Sequence, residues 1–292
     1  MLLQQIINGI TIGSTYALVA IGFTMIFGVL ELTNFSNSSL YMFGAYVTWL
    51  LYAGTGMNFF VAFALSIVIT GVLGWSIDRF ALRQLRKKHA PKLSGLITTL
   101  GMSMVIDNAI MVFCGTDSKM FENFLDFGSV HIGSAVVTWT QIIILIVACV
   151  LMIALSIIVY RTKIGKAMTA IAQNQDAAKL MGIDTNRVIS LTFIISGFLA
   201  CIAGTMVAMY YRSIDTAMGS SIGTKIFASA ILGGVGILPG AVVGGIVLGV
   251  VETMVSAYIS SGYRDAISFT ILILVLLVMP NGLFGKKAIN KV

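Results

Sequence analysis

Arg161-Thr-Lys-Ile-Gly-Lys-Ala-Met-Thr-Ala-Ile-Ala-Gln-Asn-Gln-Asp176-Ala177-Ala178-Lys-Leu-Met-Gly182-Ile-Asp-Thr-Asn-Arg187-Val-Ile-Ser190 is a hydrophilic island in a chain that is otherwise close to continuous hydrocarbon. Ile164, Met168, Ile171 and Ala178 recur at helical spacing, which predicts a short amphipathic helix over Ile164–Met181. Gly182 stands where such a helix stops. A basic amphipathic helix held between two membrane spans either lies on the lipid surface or docks into a soluble partner on the positive side.

Outward from the island the chain reads as membrane. Hydrophobic residues fill 58% of its 292 positions and charged residues only 10%, more apolar surface than a soluble core can use. Runs long enough to cross about 30 Å of hydrocarbon recur. Spans are expected near residues 5–30, 37–53, 58–78, 95–115, 137–160, 190–211, 224–238, 240–258 and 264–280, with 224–258 open to being one broken unit. The fold class expected is an all-α polytopic membrane protein of about 8–9 transmembrane helices with broken or re-entrant segments, a single domain over residues 1–292 with a cytoplasmic loop at 161–190. The first positive charge is Arg79, so the N-terminus lacks the basic region of a cleavable signal, and the first span is expected to be retained.

The net charge of +7 is a topology signal and points to no nucleic-acid partner. Arg79, Arg83, Arg86, Lys87, Lys88 and Lys92 fill one loop; Arg161, Lys163, Lys166, Lys179 and Arg187 fill the island; Lys286, Lys287 and Lys291 mark the tail. The span order puts all three on one face, cytoplasmic by the positive-inside rule. The loop 116–136, with Asp117, Glu122 and Asp126 against one lysine, reads as external. The N-terminus is then outside and the C-terminus inside.

Catalytic signatures are missing. Gly285-Lys286 lacks the upstream glycine of a P-loop. His89 and His131 belong to no metal cluster, and no G-x-S-x-G elbow occurs. Cys114, Cys149 and Cys201 read as small hydrophobes without metal spacing or obvious pairing.

Three features carry function. In Gly233-Gly234-Val-Gly236-Ile-Leu-Pro239-Gly240-Ala-Val-Val-Gly244, four-residue spacing places Gly236, Gly240 and Gly244 on one helix face, and Pro239 sets a break. Either this is tight packing alone, or the broken backbone lines a cavity. The polar turn Asn34-Phe35-Ser36-Asn37 either caps the second span or contacts a polar solute. Gly9 and Gly13 of the first span suggest a close helix contact. Asp78, Asp107 and Glu252 are ionisable groups in apolar surroundings. Asp78, beside Arg79, reads as structural, Asp107 as a pathway candidate, and Glu252 as ambiguous; the three lie on different spans without paired bases.

These residues resemble the branched-chain amino-acid ABC permeases. The resemblance rests on Gln5-Ile-Ile-Asn8-Gly9-Ile-Thr-Ile-Gly13-Ser14, on Ile26-Phe27-Gly28-Val29 running into Asn34-Phe35, on Ile231-Leu232-Gly233-Gly234-Val235-Gly236, and on Pro280-Asn281-Gly282-Leu283-Phe284-Gly285. Asp176-Ala177-Ala178-x-x-x-Gly182 is close to the E-A-A-x-x-x-G loop by which such permeases engage their ATPase. Two positions depart from the pattern. Asp176 replaces the glutamate and keeps its charge, whereas Ser36-Asn37-Ser38-Ser39 replaces an Ala-His-Gly-type sequence, which opens the alternative of urea or a short amide as solute.

The resemblance implies an importer in a bacterial cytoplasmic membrane. It is built from two homologous permease subunits, two cytoplasmic ATPases holding ATP and Mg, and an external solute-binding protein, with no cofactor on this chain. Ile164, Met168, Ile171, Asp176, Ala177, Ala178 and Gly182 are expected to meet the ATPase. Asn8, Thr11 and Ser14, the turn Asn34–Asn37, and Thr98, Thr99, Ser103 and Asp107 are expected to border a central path for Leu, Ile or Val. A secondary transporter or channel is the competing reading; its weak proton-relay inventory and the docking island count against it.

Overall fold

A computed structural model describes residues 2–30, 32–88, 90–124, 128–132, 135–279 and 282–285. Glu31, His89, Asp126, Pro280, Asn281, Lys286, Lys287 and Lys291, and the side chain of Lys92, lie outside the described residues. The elements run α1 (Leu2–Leu30), α2 (Ser36–Trp49, extended by a π-helical turn Leu50–Gly54), α3 (Phe59–Ser76, extended by Ile77–Leu82), α4 (Arg83–Lys87) and α5 (Lys92–Cys114). After α5 come β1 (Lys119–Met120), β2 (Ser129–Ile132), β3 (Ala135–Thr138), α6 (Trp139–Arg161), α7 (Lys163–Gln173), α8 (Gln175–Leu180) and α9 (Thr185–Tyr211). The chain closes with β4 (Ser213–Ile214), α10 (Met218–Gly233), α11 (Leu238–Tyr258) and α12 (Arg264–Val278).

Each expected span finds a helix, but among the described residues only seven helices are long and apolar enough to cross a membrane. The expected spans 37–53 and 224–238 fall outside that set: α10, of 16 residues, is short of the roughly 20 a full crossing needs, and α2, though 19 residues long with its π-helical turn, opens on the polar run Ser36-Asn37-Ser38-Ser39. For α2 the reason lies in the preceding connection. The backbone N–H of Phe35 donates to Thr99 Oγ1 at 3.4 Å, and Thr99 sits seven residues into α5, about 10 Å along its axis. The polar turn thus hangs inside the protein rather than on its surface. The unit 224–258 is two helices, α10 beginning six residues earlier than expected and separated from α11 by a turn.

Helix starts follow local chemistry. Thr138 and Gln141 form a capping box on α6, and Thr162, Asn174 and Asp184 accept backbone N–H groups at the starts of α7, α8 and α9. Asn174 also breaks the predicted single helix Ile164–Met181 in two, because its extended backbone ends α7 while its side chain begins α8.

The central pillar is α1: 89% of its apolar window is buried inside the protein, against 6% for the last span. Lipid is as apolar as leucine, so close backbone packing rather than water exclusion joins these helices. A Cβ on Gly13 would lie 2.7 Å from the Cα of Ile246, which fits the expected close contact of Gly9 and Gly13 and supplies its partner, α11. Gly233 and Gly240 press backbone to backbone, and Gly244 meets the carbonyl of Ser229, so the glycine run joins α10 to α11. Gly236 does not share that face. It lies in the turn at φ +87°, beside Gly234 at +105°, a conformation L side chains rarely adopt, and Pro239 follows in the first turn of α11.

The helix ends define two faces. Gln4 at the start of α1 exchanges hydrogen bonds with the backbone of Val136, and β1 pairs with β4, so the loop 115–138, the start of α1 and the end of α9 share one face. Helix α6 starts there and ends at Arg161, which puts α7 and α8 on the opposite face. The N–H groups of Leu283 and Phe284 bond Leu232 and Gly233 at the turn between α10 and α11.

Candidate functional sites: docking face and polar interior

On the face opposite the loop 115–138, α7 presents an apolar stripe inward. Met168 and Ile171 are 4% and 3% exposed and pack into the main core with α1, α6 and α9, and Ala178 joins them. They seat the island on its own protein: Met168 and Ile171 lie on the inward face of α7 and Ala178 on that of α8. The outward residues are others. Leu180 and Met181 are 89% and 83% exposed at the end of α8, beside exposed Ala177, with Ile164 at the far end of the island. Asp176 pairs with Lys179 at 3.0 Å on the same surface. Gly182, at φ +82°, closes α8 by donating its N–H to the carbonyl of Lys179.

A cleft of about 420 Å³ separates α8 from α4 and is lined by Arg86, Lys87, Asp176, Lys179 and Asn186. Beneath it Asp78 is fully buried, paired with Arg86 at 2.7 Å and accepting the Ser190 hydroxyl at 2.5 Å. Arg86, not the adjacent Arg79, is therefore the partner of Asp78, and the contact ties the end of α3 to the start of α9.

The polar residues expected along one path fall into separate groups. Thr11 and Ser14 are buried in α1 and donate to the carbonyls of Ile7 and Ile10. Asn8 accepts from Gln4 and, at 2.7 Å, from Gln141, and it borders a cavity of about 210 Å³. Asn34 accepts from the N–H and hydroxyl of Ser36, a capping role. Asn37 donates to the carbonyl of Val19 and accepts from Ser196, knitting α2 to α1 and α9. With Phe35 these two asparagines surround a gap of only about 10 Å³ shared with Phe23 and Phe227. Thr98 folds back on Ser94, and Ser103 bonds Ser39 at 2.7 Å beside half-buried Asp107.

The charged centre lies elsewhere. Glu252, 1% exposed on α11, holds Lys225 of α10 at 2.8 Å and Arg264 of α12 at 3.5 Å, so the expectation of unpaired acids is corrected. Lys225 also reaches Asp265 at 3.3 Å and lies 5.7 Å from the ring centre of Tyr16. Of these, Tyr16, Lys225 and Arg264 line a cavity of about 470 Å³ opening towards the face of the loop 115–138, together with Tyr41, Tyr211 and Asp215. Lys225 escapes a hydropathy reading because a span drawn from residue 224 makes it a flanking residue. Starting the helix at Met218 puts it seven residues deep, where a charge is costly and marks function.

The family model described as "Branched-chain amino acid transport system / permease component" matches residues 5–276. The high-affinity branched-chain amino acid transport system permease protein LivH of Escherichia coli K12 is 40% identical, over 99% of this chain and 97% of its own. BraD of Pseudomonas aeruginosa, a permease protein of the same description, is 37% identical over 99% and 98%. Among solved structures, PsaBC from Streptococcus pneumoniae in complex with Fab aligns with a TM-score of 0.51 at 13% identity, over 94% of this chain and 91% of that one, a likeness of fold.

Proposed function

The chain belongs to the family of branched-chain amino acid ABC permease subunits, and on that footing we propose that it forms half of a membrane channel through which Leu, Ile or Val is imported into a bacterial cell. It is a multi-pass membrane protein that works with other transporter components. In the reading proposed here those are a second homologous permease, two cytoplasmic ATPases that hold ATP and Mg, and an external solute-binding protein. The face carrying α7, α8 and the basic residues of α4 is cytoplasmic, and that of the loop 115–138 is external, with the N-terminus outside and the C-terminus inside. Nucleotide hydrolysis belongs to the ATPases.

One observation carries the docking assignment: Leu180 and Met181, two large apolar side chains, stand almost fully exposed at the tip of α8 while the rest of its apolar face is seated in the core. Two such residues on a polar rim suit insertion into a groove of a partner. ATP-driven closure of the partners then moves α7 and α8, and with them α6 and α9. A lipid-binding role for the island through Lys163, Lys166 and Lys179 competes with this. The test is co-purification with the ATPases and uptake of labelled leucine in vesicles. Leu180→Asp with Met181→Asp should abolish both and leave the permease in the membrane; retained, coupled uptake overturns the assignment.

The departure at Ser36–Ser39 does not favour urea or an amide. Asn37 and Ser39 spend their polar atoms on Val19, Ser196 and Ser103.

A further inference from the structure

We propose that the cavity bounded by Tyr16, Tyr41, Tyr211, Asp215, Lys225 and Arg264 is a binding subsite for the zwitterion of an aliphatic α-amino acid. The proposal rests on the substrate reading above and gives that substrate a place on this chain. The cavity, about 470 Å³, falls in the range of small-molecule sites. It reaches from Tyr211 and Asp215 at one face to Lys225, seven residues down α10, about 10 Å deeper.

Its walls divide by chemistry. Lys225 and Arg264 supply cationic donors for a carboxylate, Asp215 supplies an anionic acceptor for an ammonium group, and Ile12, Val207, Met218 and Ile222 supply an apolar wall for a branched side chain. The Tyr211 ring lies 5.9 Å from the Arg264 guanidinium, and its hydroxyl accepts from that group at 3.2 Å, which fixes the arginine at the rim.

The ion network decides which charge the ligand brings. Glu252 is buried at 1% exposure and its contact with Lys225 is fixed. Asp265, at 64% exposure, is the exchangeable partner: its carboxylate can return to water while the ligand's carboxylate takes its place on Lys225. A lone carboxylate could make that exchange but would leave Asp215 unmet, whereas a zwitterion sets its ammonium group against Asp215 as well.

The experiment uses the purified complex of this chain with its partner subunits, without the solute-binding protein. Saturation-transfer NMR is read on the methyl groups of leucine, and the complete transporter is assayed in parallel for leucine uptake. Arg264→Gln and Asp215→Asn should each weaken leucine binding about ten-fold, the loss of one charge-assisted hydrogen bond. Asp265→Asn should tighten it, because it frees Lys225; a purely structural role for the network would not move binding in that direction. The analogues 4-methylpentanoate and isoamylamine, each lacking one charge, should bind far more weakly than leucine. Wild-type uptake of leucine combined with binding that none of the three variants changes, or with analogues that bind as well as leucine, overturns the subsite and leaves the transport reading standing. A wild-type transporter that does not take up leucine removes both.

Discussion

Lys225 on α10 and Glu252 on α11 meet at 2.8 Å, the lysine 8% and the glutamate 1% exposed at the side chain. They join two helices that also pack glycine backbone against glycine backbone. Each charge keeps one longer contact when its partner is removed, Lys225 with Asp265 at 3.3 Å and Glu252 with Arg264 at 3.5 Å, but in a site this buried the remaining ion is left under-compensated. Lys225→Met or Glu252→Gln alone should therefore destabilise the protein by about 3–5 kcal/mol, while the double replacement Lys225→Met, Glu252→Met falls closer to wild type. Thermal unfolding in detergent gives the comparison. A double variant as unstable as the sum of the singles would refute it.

The α1–α11 seam makes a sharper prediction because the same substitution has opposite expected effects at two glycines. A methyl on Gly13 meets the Cα and carbonyl oxygen of Ile246 at 2.7 and 2.9 Å, and backbone cannot step aside. A methyl on Gly101 meets nothing within 4 Å. Gly13→Ala should lose folded yield, whereas Gly101→Ala should be neutral or stabilising by up to about 1 kcal/mol from the reduced flexibility of the unfolded chain. Size-exclusion profiles of the two variants settle the contrast.

On the docking island, seating and contact separate cleanly. Met168→Ala opens a hole in the core and should cost the permease about 2–5 kcal/mol, seen as a lowered unfolding midpoint. Leu180→Ala removes a side chain that touches little of its own protein. It should leave the midpoint unchanged and weaken ATPase co-purification. Equal effects of the two on stability would mean that α8 packs more tightly than its exposure indicates.

The membrane class, the helix order and the close approach of Gly9 and Gly13 are legible in the sequence because each depends on local composition or spacing. The inward and outward faces of the island are not. Periodicity marks Met168, Ile171 and Ala178 as one face but cannot say whether the protein or a partner covers it, and the answer depends on how α6 and α9 close around α7. Asn174 looks like another polar island residue until its extended backbone splits the helix. Asn34 and Asn37 read as caps or as solute contacts; only the structure decides where their hydrogen bonds go, Asn34 to Ser36 and Asn37 to Val19 and Ser196 on the neighbouring helices. Lys225 is missed for a related reason, since its partner Glu252 is 27 residues away and the depth of both depends on where α10 begins.

The Asp78 contact supplies the last prediction. Its carboxylate is fully buried near the docking face, held by Arg86 at 2.7 Å and by the Ser190 hydroxyl at 2.5 Å, so it clamps the end of α3 to α9 just after the island. The two partners differ in kind. Arg86→Ala leaves a buried carboxylate without its counter-ion and should cost about 3–5 kcal/mol. Ser190→Ala removes one hydrogen bond to a charged acceptor that keeps its arginine, and should cost about 1.5–3 kcal/mol. Unfolding midpoints in detergent should therefore rank wild type above Ser190→Ala and Ser190→Ala above Arg86→Ala. Asp78→Asn, which keeps the shape and a hydrogen bond to Ser190 but orphans the guanidinium, should lie near Arg86→Ala. Because Arg86 is 13% exposed and can turn towards the adjoining cleft, Asp78→Asn should be the milder of those two. If Ser190→Ala proves the most damaging of the three, the hydroxyl rather than the ion pair carries the clamp.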